Sequence, residues 1–262
     1  MPIGRPLAAV TGASSGLGWT YARTLAAQGF DLMLVARRLD RLESLGRELE
    51  LAHGVHVESI CANLADERQT DDVARSIEAQ SSLELLINNA GFGTSGYFHE
   101  TGYERQVDMV KVHVLATMRL TRAALPGMIA RASGSIINVS SLSGFSRSAG
   151  NANYCSTKGW MIDFSEALRL ELDSIGSPVA VQALCPGYTY TEFHDTLGVK
   201  RDFVPKSLWM DPEFVVRTSL EALPGRRLIV VPGTAYKLAA LGLRFRGSLK
   251  RRFALLDLSP FH

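Results

Sequence analysis

The sequence predicts a doubly wound α/β fold, in which a parallel sheet of about seven strands is flanked by helices. Short apolar runs alternate with segments of helical periodicity from residue 7 to residue 231, which is typical of right-handed strand–helix–strand units. A glycine-rich stretch directly follows the first apolar run, and a later run is closed by Pro186 and Gly187. No repeat, low-complexity segment or change of composition marks a linker. The 262 residues are therefore expected to form one domain.

The individual elements are predicted from the pattern of their own residues. Residues 7–11 form a short, wholly apolar run apart from Thr11, and residues 38–53 repeat leucine at helical spacing. Asp211 stands where its side chain can cap a helix that begins at Pro212. The predicted strands cover residues 7–11, 30–35, 55–61, 83–88, 135–140, 179–184 and 228–231. The predicted helices run from the glycine-rich stretch to residue 28 and then cover residues 38–53, 66–81, 103–131, 151–174 and 212–222.

The net charge of +2 hides an uneven distribution. Between Glu221 and Asp257 the chain has no acidic residue and eight basic ones, which predicts a basic C-terminal extension over residues 234–262. Residues 236–253 mix leucine and phenylalanine with basic side chains, a pattern that can lie on an anionic membrane. A closing helix packed at a subunit contact is the favoured alternative. Nucleic acid is not predicted as a partner, because the basic patch has no supporting motif.

The three cysteines indicate a reducing environment. Cys61, Cys155 and Cys185 are odd in number, far apart and without the spacing of metal ligands. The first residues lack the features of a signal peptide, and no apolar run approaches the length of a membrane-spanning helix. We therefore expect a cytoplasmic protein without a metal site.

The glycine-rich stretch places Gly12, Gly16 and Gly18 between the first strand and the first helix. Free amides and the helix dipole at that position can hold a pyrophosphate, and glycine permits a close approach of backbone to phosphate. The same residues also fit the G-x-S-x-G nucleophile elbow of α/β-hydrolases, with Ser14 as the nucleophile. Only eleven residues precede Gly12, too few for the earlier strand–helix unit that such an elbow needs. A nucleotide site is therefore the favoured interpretation.

Arg37 and Arg38 follow the second predicted strand, where enzymes that use NAD place an acidic residue. A guanidinium can pair in a bidentate manner with a 2′-phosphate, so the sequence favours NADP over NAD. The alternative is two ordinary arginines at the start of a surface helix.

Tyr154 and Lys158 are four residues apart on a predicted helix, so they share one face. An isolated tyrosine titrates near about pH 10, and a neighbouring ammonium favours the phenolate. We therefore expect Lys158 to lower the pKa of Tyr154, which would suit it to general acid–base catalysis. A solvated pair on a helix surface has the same spacing, so this motif is weak by itself.

Several motifs together resemble the short-chain dehydrogenase/reductase family. They occur in the order and at the spacing of that family, between residue 6 and about residue 190. They comprise Thr11 to Gly18, Asn88 to Gly91, Asn138 to Ser141, Tyr154 to Lys158, and Pro186-Gly187. The resemblance implies a Rossmann fold and an oxidoreductase that interconverts a carbonyl and a secondary alcohol. It also implies a homo-oligomer, a dimer or a tetramer.

The resemblance further implies a role for each matching residue. Ser141, thirteen residues before Tyr154, would polarise the substrate carbonyl, and Tyr154 would be the acid in reduction and the base in oxidation. Lys158 would lower the pKa of the tyrosine and hold the nicotinamide ribose. The implied cofactor-binding residues are Gly12, Ser14, Ser15, Gly16, Leu17, Gly18, Arg37, Arg38, Asn63, Leu64, Asn89, Ala90, Gly91, Tyr154, Lys158, Pro186, Gly187, Thr189 and Thr191.

The chain departs from the family pattern at two places. Asn63-Leu64 stands where the family usually has an aspartate followed by an apolar residue, and asparagine keeps one acceptor oxygen. His113 stands where the family usually has the asparagine that supports a water and the lysine in a proton relay. Either His113 keeps the relay, with a pH dependence altered by its own titration, or turnover is impaired. In the second case the chain would be a cofactor-binding regulatory protein.

Residues 188–210 lie where the family has its substrate-covering segment, and they are rich in aromatic and aliphatic side chains. Tyr188 and Phe193 are candidate substrate contacts on this wall, with Leu142 and Ser143 beside Ser141 and Tyr154 on the other. Because small-molecule pockets are largely apolar, we expect a bulky hydrophobic ketone or alcohol as substrate. The alternative is that these side chains only pack the covering segment onto the body.

Overall fold

The computed structural model describes residues 4–193 and 204–243. Its seven strands all run parallel, in the spatial order β3-β2-β1-β4-β5-β6-β7. The strands are β1 (Leu7–Thr11), β2 (Asp31–Ala36), β3 (Val57–Cys61), β4 (Leu83–Asn88), β5 (Ser135–Val139), β6 (Ala180–Leu184) and β7 (Ile229–Val230). The helices between them are α1 (Gly16–Ala27), α2 (Leu39–His53), α3 (Glu67–Glu78), α4 (Tyr103–Val110), α5 (Thr117–Arg131), α6 (Ala152–Ser174) and α7 (Pro212–Glu221). The predicted doubly wound, seven-stranded fold is confirmed.

The sheet separates two apolar cores because successive strand residues point to opposite faces. In β1, Ala8 and Val10 face the core that is shared with α1, α2 and α7, whereas Leu7 and Ala9 face the core under α3, α5 and α6. Most strand residues are buried, which is the pattern of a parallel sheet covered on both faces. The strand order reverses between β1 and β4, so the loops after these two strands diverge and leave a crevice at the carboxyl edge.

The predicted helix over residues 103–131 is wrong as a single helix. The structure divides it into α4, a π-helical turn at Lys111–Ala116 and α5. The wider π-helical turn buries Val112 and His113 together. Apolar periodicity cannot reveal this change, because a single π-helical turn inserts one residue and leaves the surrounding pattern helical.

The remaining boundaries differ from the predicted ones by at most a few residues. Asp211 accepts a hydrogen bond from the backbone N–H of Glu213 at 2.7 Å, so the predicted cap of α7 is confirmed. A further helical stretch covers residues 234–243, the described part of the predicted basic extension. Residues 244–262 of that extension, and residues 194–203 of the predicted substrate-covering segment, lie outside the described residues. Among the helices in the described ranges, none is long and apolar enough to cross a bilayer.

Candidate active site

The loop after β1 has a backbone that only glycine adopts readily. Gly12 and Gly16 have φ angles of 67° and 55°, in the left-handed region. A Cβ atom on Gly12 would lie 2.9 Å from the Cα atom of Ala90, and one on Gly18 would lie 2.4 Å from the carbonyl oxygen of Gly12. The loop therefore packs directly against the loop after β4. Ser15 is the N-cap residue of α1, so the N–H groups of the first helical turn, which have no partner within the helix, lie at this loop.

Thr11 joins the two loops, a role that the sequence motif did not indicate. Its hydroxyl oxygen accepts hydrogen bonds from the backbone N–H groups of Asn89 and Ala90, at 2.9 and 3.0 Å, and donates to the carbonyl oxygen of Ile87. The side-chain amide of Asn89 donates in return to the carbonyl oxygen of Thr11 at 2.8 Å. The crevice between β1 and β4 is thus fixed by hydrogen bonds across its floor.

Arg38 is anchored to the glycine loop. Its Nε and Nη2 atoms donate to the hydroxyl of Ser14 at 3.1 and 3.0 Å. Arg37 is exposed, and within residues 4–193 and 204–243 its guanidinium has no hydrogen bond or ion pair. The structure therefore places the Arg38 side chain beside the loop, whereas that of Arg37 faces solvent.

The interactions of Ser14 argue against the hydrolase alternative. The partners of its hydroxyl are the guanidinium nitrogens of Arg38, which are donors and cannot act as a general base. No histidine in the described part of the chain hydrogen-bonds to it. Ser14 is thus arranged as part of a polar loop and not as an activated nucleophile.

The other predicted cofactor residues lie along the same edge of the sheet. Asn63 is exposed after β3 and closes its own turn by accepting from the N–H of Ala65 at 3.2 Å, whereas Leu64 is buried. Asparagine thus keeps a hydrogen-bonded turn at this departure from the family. After β6, Thr189 donates to the carbonyl oxygen of Gly187, and Thr191 packs over Gly16. The segment after β6 therefore crosses the glycine loop.

Ser141 and Tyr154 come together because a short 3-10 helix, Leu142–Phe145, packs closely on α6. A Cβ atom on Gly144 would lie 2.9 Å from the carbonyl oxygen of Lys158, so only glycine fits there. Ser141 is the N-cap residue of this helix, and its hydroxyl accepts from the N–H of Ser143 at 3.1 Å. The side chain of Ser141 lies close enough to the phenol of Tyr154 to lower its pKa in part, so the structure brings the two predicted catalytic hydroxyls together.

Lys158 lies about one helical turn after Tyr154 on α6 and is buried, and its amine is directed towards the end of β5. The Nζ atom donates to the carbonyl oxygen of Val139 at 2.8 Å. Burial lowers the pKa of Lys158 to about 7. At neutral pH the amine is therefore close to half protonated.

The expectation that Lys158 lowers the pKa of Tyr154 is wrong for this structure. Burial raises the pKa of Tyr154 to about 12, and the hydrogen bond with Ser141 opposes this change only in part. Two physical facts explain the error: desolvation disfavours the phenolate, and Lys158 has its hydrogen bond to Val139 and carries only part of its charge near neutral pH. Tyr154 is consequently a protonated phenol at neutral pH.

His113 is buried with a hydrogen bond at each ring nitrogen. The Nε2 atom accepts from the backbone N–H of Phe92 at 3.1 Å, so it carries no proton. The Nδ1–H therefore donates to the hydroxyl of Thr157 at 2.9 Å, and that hydroxyl donates to the carbonyl oxygen of Tyr154. The imidazole also meets the ring of Tyr154 edge-on, with 6.0 Å between the centroids. His113 thus connects the loop after β4 to the first turn of α6.

Burial, and secondly the charge of Lys158, hold the pKa of His113 well below its ordinary value. The expectation that its own titration alters the pH dependence near neutrality is therefore wrong, because the ring stays neutral there. A Cβ atom on Gly91 would lie 2.6 Å from Nε2 of His113 and 3.5 Å from Nζ of Lys158. Gly91 consequently provides the space in which the histidine and the lysine approach each other.

Asn153 and Gln106 hold the start of α6 against α4, a contact that no sequence motif indicated. The side-chain amide of Asn153 donates to both the backbone and the side-chain oxygens of Gln106, at 2.9 Å each. The side-chain nitrogen of Gln106 donates in turn to Thr94 and Thr101. Because Asn153 precedes Tyr154, these hydrogen bonds hold the backbone that carries the phenol of Tyr154.

The described parts of the predicted substrate-covering segment lie against the site. The ring of Phe193 is 5.8 Å from that of Tyr154, and Tyr188 lies 5.5 Å from Trp209. The hydroxyl of Tyr236 accepts from the N–H of Tyr188 and donates to the carbonyl oxygen of Leu208 at 2.7 Å. These described parts are therefore anchored to the helical stretch at residues 234–243, while Phe193 lies beside the phenol of Tyr154.

Comparison with known proteins gives a consistent result. The model of the short chain dehydrogenase family matches residues 6–202. The NADP-dependent 3-hydroxy acid dehydrogenase of Schizosaccharomyces pombe is 32% identical over 234 residues, which cover 86% of this chain and 89% of that protein. A short-chain dehydrogenase from Sphingobium yanoikuyae, solved in complex with NADPH, superposes with a TM-score of 0.83 at 31% identity and covers 98% of each chain. The bulky-bulky ketone specific alcohol dehydrogenase from Comamonas testosteroni has a TM-score of 0.80 at 28% identity, covering 99% of this chain and 97% of that one.

The strand order and the glycine loop at the β1–β4 crevice define a nucleotide-binding oxidoreductase with a Rossmann-type sheet. This chain belongs to the short chain dehydrogenase family.

We expect the burial of Lys158 to make the stability of the protein increase with pH. Between about pH 7 and pH 10 the unfolded chain holds a proton that the folded amine has lost, so the free energy of unfolding rises by up to about 1.4 kcal/mol per pH unit. Denaturant unfolding at several pH values measures this slope. In Lys158→Met the rise should be absent, whereas Lys111→Met, which changes a surface lysine paired with Glu67, should retain it. Equal slopes in all three proteins would contradict the burial of a titrating amine.

We expect His113 to remain one neutral tautomer from pH 8 to pH 5. Nitrogen NMR on ¹⁵N-histidine protein should show a protonated Nδ1 and a bare Nε2 throughout, because both atoms are held by buried hydrogen bonds. The exposed ring of His99 provides the reference signal of a solvated imidazole. Protonation of Nε2 within this range would show that the hydrogen bond from Phe92 is not maintained.

Proposed function

We propose that the protein is an NADP-dependent reductase that converts a bulky hydrophobic ketone into a secondary alcohol. The observation that carries the proposal is the proximity of the Ser141 and Tyr154 side chains, with Lys158 buried about one helical turn further along α6. The glycine loop supports the cofactor assignment, since side chains at Gly12 and Gly18 would fill the cradle that a pyrophosphate requires. When bound, the nicotinamide supplies the hydride.

The chain's own groups account for the movement of the proton. The hydroxyl of Ser141 donates a hydrogen bond to the substrate carbonyl oxygen and polarises it. Because burial raises the pKa of Tyr154 to about 12, the phenol is protonated at neutral pH and can give its proton to that oxygen. The Ser141 side chain, which lowers the pKa of Tyr154 in part, then stabilises the phenolate that remains. A phenol that is protonated at neutral pH is in the form required for the acid role of Tyr154 in reduction.

The neutral imidazole of His113 supports turnover over the regulatory alternative. It brings no second charge to the site, and through Thr157 it orients the backbone of Tyr154. A ring with both nitrogens satisfied replaces the family asparagine without leaving a buried polar atom unpaired. The proposed site is thus complete, although its histidine positions groups and does not itself titrate.

The aromatic side chains around the phenol support a bulky substrate. Phe193 lies beside Tyr154, and Tyr190 stacks on Trp209 with 5.1 Å between ring centroids. Apolar walls with few polar groups are typical of sites for hydrophobic small molecules. The similarity to the ketone-specific alcohol dehydrogenase from Comamonas testosteroni agrees with this proposal. Cys61, Cys155 and Cys185 form no disulfide in the described part of the chain, which fits the proposed cytoplasmic location, and a homo-oligomer stays a prediction.

A panel of ketones with NADPH tests the proposal. We expect oxidation of NADPH with bulky apolar ketones, and a loss of kcat/KM of about 10²- to 10⁴-fold in Tyr154→Phe and in Ser141→Ala. Tyr103→Phe, which removes the hydroxyl of an exposed tyrosine at the start of α4, should leave activity unchanged. Activity on small polar carbonyls alone would contradict the proposed substrate class. Binding of NADPH without turnover of any carbonyl would favour the regulatory protein.

Arg38 should determine the preference for NADP. Replacement by alanine removes the guanidinium that Ser14 holds beside the loop, so the Kd for NADPH should rise roughly 10- to 100-fold while that for NADH changes little. Isothermal titration measures both constants. Arg47→Ala, on the same helix and paired with Glu43, is the matched control. An equal loss of both cofactors would contradict recognition of the 2′-phosphate by Arg38.

A further inference from the structure

The carboxylate of Glu192 bridges two arginines at the edge of the glycine loop. Its Oε2 atom lies 3.1 Å from Nη1 of Arg38, and its Oε1 atom lies 2.7 Å from Nη1 of Arg41. The two guanidiniums hold the pKa of Glu192 below its ordinary value, so the carboxylate is charged at neutral pH. A single anion thus occupies the position between these two guanidiniums.

The same position has the composition of a phosphate site. Arg38 is held against the loop by the Ser14 hydroxyl, and the loop borders a cavity of about 350 Å³. The cavity is lined by Ser14, Ser15, Gly16, Trp19, Arg41, Ser44, Leu45, Glu48 and Glu192. Two arginines and a hydroxyl suit a terminal phosphate, which accepts several charge-assisted hydrogen bonds. The Glu192 carboxylate takes up donors that such a phosphate would use.

Glu192 belongs to the segment that covers the catalytic phenol. Thr191 precedes it and packs over Gly16, where an added Cβ atom would lie 3.2 Å from the Cβ atom of Thr191. Phe193 follows it and lies beside the ring of Tyr154. One short stretch of backbone therefore spans the distance from the arginines to the phenol. A displacement of Glu192 necessarily moves its two neighbours.

We propose that Glu192 competes with the 2′-phosphate of the cofactor for Arg38 and Arg41. A dinucleotide with this phosphate then displaces the carboxylate and repositions Phe193 over the catalytic site. The inference rests on the proposed function, because it assumes that the glycine loop binds a dinucleotide. It adds that recognition of the 2′-phosphate is coupled to the substrate-covering segment.

Charge explains why both anions cannot remain. A phosphate monoester carries close to two negative charges at neutral pH, and a carboxylate on the same guanidiniums would repel it. The two ion pairs of Glu192 are half exposed, so each is weak and the phosphate can replace them. The competition therefore lowers the affinity for NADP without preventing binding. NAD, which lacks the 2′-phosphate, leaves the bridge in place.

Cofactor titrations of wild-type protein, Glu192→Gln and Glu48→Gln test the competition. The amide keeps the shape of residue 192 and removes its charge, so we expect NADPH to bind roughly three- to tenfold tighter and NADH to change by less than about twofold. Glu48 lines the same cavity, but its carboxylate pairs with Arg23. Glu48→Gln therefore controls for the general effect of removing one negative charge from the lining of the cavity.

Three results would overturn the proposal: an equal gain for NADPH and NADH, an equal gain in Glu48→Gln, or weaker NADPH binding in Glu192→Gln. Such results leave the proposed function intact as long as the wild-type protein binds NADPH. Failure of the wild-type protein to bind either dinucleotide would instead refute the proposed function, and this inference with it.

Hydrogen exchange tests the coupling without any turnover. Adenosine 2′,5′-bisphosphate carries the 2′-phosphate and lacks the nicotinamide, and adenosine 5′-monophosphate is its matched control. We expect the first ligand, and not the second, to change exchange at the amides of residues 191–193 at saturation. In Glu192→Gln this difference between the two ligands should be much smaller. Identical exchange with both ligands in the wild-type protein would refute the coupling.

Discussion

The hydrogen bond from the buried amine of Lys158 to Val139 is the interaction on which the catalytic arrangement depends. It joins α6 to the last residue of β5, and the hydroxyl of Ser140 donates back to the carbonyl oxygen of Lys158 at 2.7 Å. The end of β5 and α6 are thus connected twice. The connections lie next to Ser141 and one helical turn after Tyr154. The two hydroxyls belong to different elements, yet their relative position is set by this junction. A preorganised pair of this kind needs little rearrangement when a carbonyl arrives.

Burial also determines which groups of the site are charged. The same exclusion of water lowers the pKa of Lys158 and of His113 and raises that of Tyr154. The protonation equilibrium of each group is thereby shifted towards the neutral form. Three titratable side chains can therefore pack closely without repulsion between charges. A neutral phenol beside a partly protonated amine is prepared to give up a proton. The charge states of the site thus follow from desolvation as much as from the identity of the residues.

Local sequence patterns predicted the fold and most of the residues that gather at the site. Gly12, Gly16 and Gly18 could be recognised because their conformation and close contacts exclude other residues, and Ser141 and Tyr154 because their spacing matches a family motif. The pKa of Tyr154 could not be predicted, since it depends on burial by residues from several elements.

The remaining features that the sequence missed share one property: their partners are distant along the chain. Thr11 meets Asn89 across the sheet, and Glu192 meets Arg38, which stands 154 positions earlier in the chain. The π-helical turn at His113 is a local feature, but its consequence is the contact with Thr157, which only the folded chain shows. The backbone between Thr189 and Phe193 then connects the arginines at one end of the crevice to the phenol at the other. Because it is anchored through Tyr188 to Tyr236 and through Tyr190 to Met210, it can transmit a shift only over the few residues beyond that anchor. Covalent continuity over so short a span couples the two ends more directly than a path through packed side chains would.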